Sequence, residues 1–299
     1  MRTFWTPEGT IKRWSDVIKL ERKFFRIPHV RWIFRAEKPG QNFTTTLEEK
    51  FRLNGISVKK DKIEGERQTI RKFQRKAALY LEHEPDKDDI LEWLAIMRHR
   101  GAPTRFLDWT YSFYVAVYLV LNERQKGVVW ALKVSAINKP EPIVKRICER
   151  KDGFRMFSKA LLHYLKQCDF LGIRQEGDKL IDLAVACYLI EANPPLPCVY
   201  PVNPFRLNKR LSVQQGLFLM PGDITKPFAK NLTETFGSIG ETKEHLGRVE
   251  IATQTQNRKE ILKKLKDMNI SNEALFPGLD GFARSVGEGL AYTRPLGNR

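Results

Sequence analysis

Along this chain the spacing of apolar residues switches between a helical period and stretches of alternation or continuous apolarity, and the switches predict the elements. From Ile11 to Trp32 the residues Ile11, Trp14 and Ile18 fall at helical spacing among Lys12, Arg13, Lys19, Arg22, Lys23 and Arg26. An amphipathic helix with its aromatic residues turned to a core accounts for that pattern, and it places a basic helical extension over residues 1–30. A strand centred on Trp32, Ile33, Phe34 and Arg35 follows, and the remaining domain runs from 31 to 299. Inside the basic run Lys59 to Lys76 a helix is expected from Glu66 to Leu81, with Ile70, Phe73, Ala77 and Tyr80 on one face. The clearest helix is Asp88 to Arg100. Acids crowd its start, Ile90, Leu91, Leu94, Ile96 and Met97 form its apolar side, and Arg98, His99 and Arg100 sit where the helix dipole favours cations. Gly101 supplies the stop.

Pro103 forbids continuation, so Pro103 to Thr110 reads as a turn or short extended segment. Ser112 to Asn122 is apolar nearly all round and predicts a buried helix, Val128 to Val134 a strand, and Arg155 to Gln167 a helix. Prolines between Asn193 and Phe205 make an extended connection. Asn208 then opens a loop into a strand at Leu217, Phe218 and Leu219. Arg248 to Ala252 alternates as an exposed strand, and Asn257 is placed to cap a basic helix ending near Met268. Helices and strands are interspersed without regular βαβ alternation, and no flexible linker divides them. The pattern argues for an α+β fold with a mixed or antiparallel central sheet flanked by helices and a helical N-terminal part.

Charge narrows the choice of partners. The chain has 52 Lys and Arg against 35 Asp and Glu, a net charge of +17. Such a surface draws phosphate-bearing partners, whether a nucleotide or a nucleic acid, although a plain solubilising surface has the same composition. Cys148, Cys168, Cys187 and Cys198 form no C-x-x-C pair, so four reduced, mostly buried thiols are expected and no zinc ribbon. The first residues lack the order of a signal peptide, and the longest weakly charged run, Ala184 to Phe205, holds five prolines. Neither suits a membrane partner, and a cytoplasmic location is the expectation.

No Walker loop, G-x-G-x-x-G, H-E-x-x-H or G-x-S-x-G is present, the five histidines are scattered, and no carboxylate cluster suits a metal. What remains is polar residues at structural corners. Arg35 ends an apolar strand, where a cation needs an anion or a carboxylate, and Asp108 is one candidate partner. Asp108 itself, flanked by Thr104 and Thr110, suits a helix N-cap or a turn held by hydroxyl or backbone donors. His99 is either a dipole-stabilised structural histidine or a catalytic one. Gln214, Gln215 and Gly216 precede a strand, where the amides satisfy a bulge or bind a ligand.

These corners carry a resemblance. Phe34-Arg35-Ala36, then Arg98-His99-Arg100-Gly101-Ala102-Pro103-Thr104-Arg105-Phe106-Leu107-Asp108-Trp109-Thr110, then Asn208 to Phe218 resemble the three signature segments of the FRG-domain family, and Leu275 to Gly281 resembles its closing segment. Two positions depart from the family pattern: Ala36 stands for its Gly after the Arg, and Arg98 for the Gln before the His. The order of a strand-borne Arg, a Thr-rich corner and a late polar pair is also similar to the ADP-ribosyltransferase plan. That resemblance implies an enzyme using NAD for transfer or hydrolysis, in a toxin-type or phage response. Arg35, His99 and Gln215 would be catalytic, Arg35 holding phosphate and Gln215 orienting the acceptor. Thr104, Arg105, Asp108, Thr110 and Gln214 would line the NAD site, with Asp108 locking Arg105 or the turn. The alternative is a non-catalytic nucleic-acid-binding or interaction module that uses the basic surface.

Overall fold

The structure, a computed structural model, describes residues 4–40, 43–137, 140–170, 177–204 and 209–289. The chain begins with strand β1 (Thr6–Ile11), helix α1 (Trp14–Phe24) and β2 (Trp32–Glu37), followed by α2 (Thr46–Leu53), α3 (Lys59–Ala77) and α4 (Ile90–His99). Next come β3 (Leu107–Thr110), α5 (Phe113–Glu123), β4 (Lys126–Lys133), α6 (Pro140–Cys148), α7 (Gly153–Phe170) and α8 (Gly177–Glu191). The last part holds β5 (Val199–Val202), α9 (Lys209–Val213), β6 (Gly216–Pro221), α10 (Phe228–Phe236), α11 (Ile239–His245), β7 (Leu246–Ala252), α12 (Thr255–Asp267), α13 (Asn272–Leu275) and α14 (Leu279–Gly289).

The seven strands form one sheet in the order β1-β7-β4-β2-β3-β6-β5. β1 runs parallel to β7 and every other pairing is antiparallel, so the sheet is mixed and the fold α+β, as the interspersed pattern predicts. The expected boundary at residue 30 is not a structural one. β1 pairs with β7, and Val17, Leu20 and Phe24 of α1 pack into the same core as β2 and β4, so the first thirty residues supply a strand and a helix to the common fold. β7 is no exposed strand either: it lies between β1 and β4, and Val249 and Ile251 are buried.

Alternation along the strands sends side chains to two faces, and the faces are covered differently. One face carries a continuous core across the sheet, from Trp130, Leu132 and Leu246 through Ile33, Leu107 and Trp109 to Leu217, Leu219 and Val199, covered by Phe43 and by Phe228 and Leu232 of α10. The other face carries two separate cores. Phe34, Val129, Ala131, Val249 and Ile251 meet α1, α5 and α12. Phe106, Tyr200, Val202, Phe218 and Met220 meet α4, α6 and α8. Between these two cores the sheet surface is left to polar residues.

Local signals explain most element ends. Asp89 caps α4 by accepting from the Glu92 N–H, and Ser112 caps α5 by accepting from the Val115 N–H. Gly101, at φ 81°, closes α4 with the Ala102 N–H on the Met97 carbonyl and the Gly101 N–H on that of Arg98. Asn257 does not cap α12. The helix starts earlier, at Thr255 after Gln254, whose side chain makes no cap. α3 spans Lys59–Ala77, beginning seven residues before the expected Glu66 and ending before Leu81. Asn208, where a loop into β6 is expected, lies outside the described residues, and the stretch after it is the short helix α9. Of the thiols, Cys187 and Cys198 are buried and Cys148 is exposed. Among the described residues no helix is long and apolar enough to cross a membrane.

Candidate active site at the seam between two cores

β2 and β3 are joined by one residue pair, Phe34 with Thr110, while β2 pairs with β4 over six residues and β3 with β6 over four. Beyond that pair the strands part, and Arg35 fills the opening. Its Nε donates to Glu37 Oε1 at 2.8 Å and its Nη1 to the Asp108 carbonyl at 2.8 Å, so a side chain replaces the missing strand-to-strand bond. Glu37 is anchored in turn by the Trp130 Nε1 at 2.9 Å and the Phe43 N–H at 3.1 Å. The charge of Arg35 is therefore met by Glu37 rather than by the Asp108 carboxylate.

That carboxylate belongs to Arg98. The Arg98 Nε donates to Oδ2 at 2.9 Å and to Oδ1 at 3.1 Å, and Nη2 also meets Oδ2. Arg98 reaches this position from the last turn of α4, which the Gly101 turn folds back against β3. Desolvation works to raise the Asp108 carboxyl, but the bonded Arg98 guanidinium and the nearby charges of Arg35 and Arg210 outweigh it. They hold Asp108 below the ordinary carboxylate range. Its side chain is nonetheless 48% exposed, so it stands as an ionised carboxylate open to the seam. It does not cap α5; Ser112 does, with Thr110 Oγ1 accepting from the Ser112 N–H at 3.0 Å.

Two further groups complete the electrostatics. His99 is pushed down from its usual value by partial burial and by the charges of Arg210 and Arg100, which leaves it neutral at pH 7. Arg210, on α9, is half-buried with its guanidinium 4.7 Å from the centre of the Phe276 ring. Burial lowers its pKa against the pull of Asp108. Among the described residues it has no hydrogen-bond or ion-pair partner, and Arg284 stands on the same ring at 5.7 Å.

Two hollows meet here. One, of about 330 Å³, is lined by Arg35, Lys38, Asp108, Thr110, Arg210 and Arg284 among others. The other, of about 240 Å³, is lined by Arg98, His99, Asp108, Arg210 and Gln214. They share Asp108, Trp109, Arg210 and Gln214, and jointly reach the range of about 300–1,000 Å³ usual for small-ligand sites.

Of the residues singled out from the sequence, Arg35, His99, Asp108, Thr110 and Gln214 gather at this seam. Thr110 is buried, donating to the Gln214 carbonyl at 2.6 Å, and serves to fix the strand corner. Thr104 and Arg105 stand elsewhere. Thr104 has no exposed surface, and its Oγ1 accepts from the Phe106 N–H. Arg105 is buried against Glu66, with Nε on Oε1 at 2.7 Å, so Asp108 does not lock it. Gln215 turns away: its side chain lines a different hollow, of about 590 Å³, with Tyr111 and Asp182, while its carbonyl accepts from the Tyr111 N–H. The residue facing Asp108 is its neighbour Gln214, whose Nε2 donates to the Leu275 carbonyl at 2.9 Å.

Sequence reading missed Arg98, Arg210, Phe276 and Arg284. Arg98 carried a signal, because it departs from the family pattern ten residues before the carboxylate it pairs with. Ala36, the other departure, lies in the regular β2 ladder opposite Val129 and outside the left-handed region, so a Cβ is accommodated there. Among the described residues no group of three His, Cys, Asp or Glu is placed to hold a metal ion.

Residues 30–128 match the family model described as FRG domain. That stretch contributes Arg35, Arg98, His99 and Asp108 to the seam, while Arg210, Gln214, Phe276 and Arg284 come from beyond it. No curated protein and no solved structure matches the chain.

Proposed function

We propose, starting from the match of residues 30–128 to the FRG-domain model, that the seam binds a phosphate-bearing nucleotide of the NAD or ADP-ribosyl class and acts on its ribosyl bond. One observation carries the reading: Arg210 presents a half-buried guanidinium with no hydrogen-bond or ion-pair partner among the described residues, beside an ionised, half-open Asp108. An unpaired cation so placed suits an oxyanion, and its planar fork matches two phosphate oxygens. Arg284 and Lys38 add positive charge at the rim, and Phe276 offers a ring face. A seam with more cations than carboxylates fits a pyrophosphate.

In this reading Arg210 and Arg284 hold the phosphates, and Arg35 keeps the strands apart at the width the ligand needs. Asp108 supplies the negative charge required at the sugar. When the bond from the ribose C1′ to nicotinamide breaks, its electron pair leaves with the neutral ring and C1′ becomes electron-poor, a charge that an adjacent carboxylate stabilises. Water or an acceptor hydroxyl then adds to C1′, and neutral His99 is available for its proton. Gln214, which lines both hollows with Asp108, takes the acceptor-orienting role in this reading instead of Gln215. Asp108 thereby answers a need that a glutamine amide cannot meet.

The test is calorimetric titration with NAD and ADP-ribose, together with an assay of nicotinamide release. Arg210→Ala is expected to weaken binding ten- to a hundredfold, the loss of one charge-assisted hydrogen bond. Asp108→Asn is expected to leave affinity within a few-fold and lower turnover by about a hundredfold or more. If neither compound binds while oligonucleotides bind with a log–log salt slope of about −0.7 to −0.9 per phosphate, the chain is a nucleic-acid-binding module and the enzyme reading is lost.

A further inference from the structure

The hollow between the C-terminal halves of α3 and α4 takes up none of the chemistry described so far. It encloses about 670 Å³ and is lined by Thr69, Lys72, Phe73, Lys76, Ala77, Tyr80, Leu81, Met97, Arg100 and Ala102. Its floor is the top of the core: Met97 and Ala77 are buried, and Phe73 packs edge-on to Trp93 at 6.3 Å. Its rim holds Lys72, Lys76 and Arg100, and no carboxylate lines it. The last turn of α4 separates it from the seam. Met97 and Arg100 face this hollow, whereas Arg98 and His99 face Asp108.

Three features point to one kind of ligand. A wall this apolar, with Tyr80 81% exposed beside it, is left in contact with water at a free-energy cost that an apolar body would remove. Lys72 and Lys76 stand one helical turn apart, a like-charge pair that destabilises α3. Among the described residues Lys72, Lys76 and Arg100 have no ion-pair partner, and no carboxylate in the lining of the hollow relieves the repulsion. An anion at the rim attached to an apolar body on the floor satisfies all three. Lysine stems covering apolar surface would explain the methylenes, but not the converging charges of two elements.

We infer that this hollow is a second ligand site, specific for a small amphipathic anion: an acyl chain or ring system seated against Phe73, Met97 and Ala102, with one acidic head held by Lys72, Lys76 and Arg100. Its volume lies within the usual small-ligand range, and its proportions, mostly apolar with a few convergent polar groups, are those of such sites.

Calorimetry with decanoate and with 1-decanol, the same chain without the charge, tests this. Decanoate is expected to bind with one site per chain, at least tenfold more tightly than decanol. The exposed double substitution Lys72→Glu with Lys76→Glu should weaken decanoate by tenfold or more and leave decanol unchanged. Should that variant lose its fold by circular dichroism, Lys72→Gln with Lys76→Gln carries the same expectation. Equal affinity for decanoate and decanol, or decanoate binding indifferent to these substitutions, overturns the proposal. So does binding confined to anionic phosphatidylglycerol vesicles or to an oligonucleotide, since the surface would then serve a membrane or a polyanion.

Discussion

Two of the ion pairs within residues 30–128 differ sharply in burial, and the difference sets a test of how this fold is stabilised. Arg105 and Glu66 are 3% and 5% exposed, and they join α3 to the approach to β3. The Arg105 guanidinium also lies 3.4 and 3.5 Å from the carbonyls of Pro221 and Leu189, which brings β6 and α8 into the same arrangement. Arg98 and Asp108, by contrast, are 20% and 48% exposed. Glu66→Gln keeps the shape and some hydrogen bonding but leaves a buried guanidinium without a counter-charge. Breaking one side of such a pair costs about 3–5 kcal/mol, a large part of the roughly 5–15 kcal/mol that stabilises a typical domain. Asp108→Asn removes one side of a pair that is only partly exposed, and its cost should stay below that of Glu66→Gln. Urea denaturation measures both, with an unchanged m-value as the condition for comparison. The Glu66 variant should also melt on the order of 10 °C lower. A Glu66→Gln protein within about 1 kcal/mol of wild type, or an Asp108→Asn protein as damaged as it, would refute this ranking. pH supplies a check on sign. Asp108 is held below its ordinary value, so its contribution is present above the unfolded pKa of about 3.9 and is lost as pH falls through the folded value. The gap between wild type and Asp108→Asn should therefore close below about pH 4.

Gly101→Ala should cost about 1 kcal/mol from backbone strain alone, since a Cβ there meets nothing within 4 Å, while Gly101→Asn should cost less; thermal melts of the pair check it. Gln215 occupies φ 48° with its side chain outside the seam, so Gln215→Gly should match wild type in stability or exceed it by up to about 1 kcal/mol. A larger loss in the melt would show that the amide holds something. Burial pushes the Cys198 thiol up to about 12, whereas Cys148 is exposed, so iodoacetamide at pH 8 followed by peptide mass mapping should label Cys148 and spare Cys198.

The elements were legible where local chemistry decides them. The acid-led, glycine-stopped α4, the buried α5 and strands β2, β4 and β6 all follow from periodicity and end signals. What the sequence hid was non-local. Residues 6–11 fall within the helical extension expected over residues 1–30, because pairing with β7, some 240 residues away, leaves no mark in so short a segment. Asp108 looked like a cap because caps are local, and its true partner depends on how the Gly101 turn folds α4 back. Gln215 was preferred to Gln214 since a run of two amides does not show which one the left-handed turn will send to which side. Arg105 drew attention as one arginine among several in a polar segment, and only the arrival of Glu66 from α3 makes it structural.

The placement of the seam follows from the way this sheet is covered. One face is sealed by a continuous core, while on the other the α1–α5–α12 layer covers Phe34 and the α4–α6–α8 layer covers Phe106 and Phe218, and the seam lies between the two. A strand pair held by one residue pair would expose unpaired backbone, and a buried carbonyl without a donor is costly. Arg35 supplies the donor to the Asp108 carbonyl and so permits the strands to stay apart. A lysine at position 35 keeps the charge but cannot span Glu37 and the Asp108 carbonyl with a planar fork. Arg35→Lys should accordingly disturb the Glu37 and Trp130 anchor as well as the cleft. The expected outcome is a loss of stability together with weakened ADP-ribose binding, in contrast to Arg210→Ala, which should weaken binding while the melting temperature stays within about 2 °C of wild type. If Arg35→Lys instead binds ADP-ribose ten- to a hundredfold more weakly with an unchanged melt, Arg35 contacts the ligand directly and its role as the spacer of the seam is wrong.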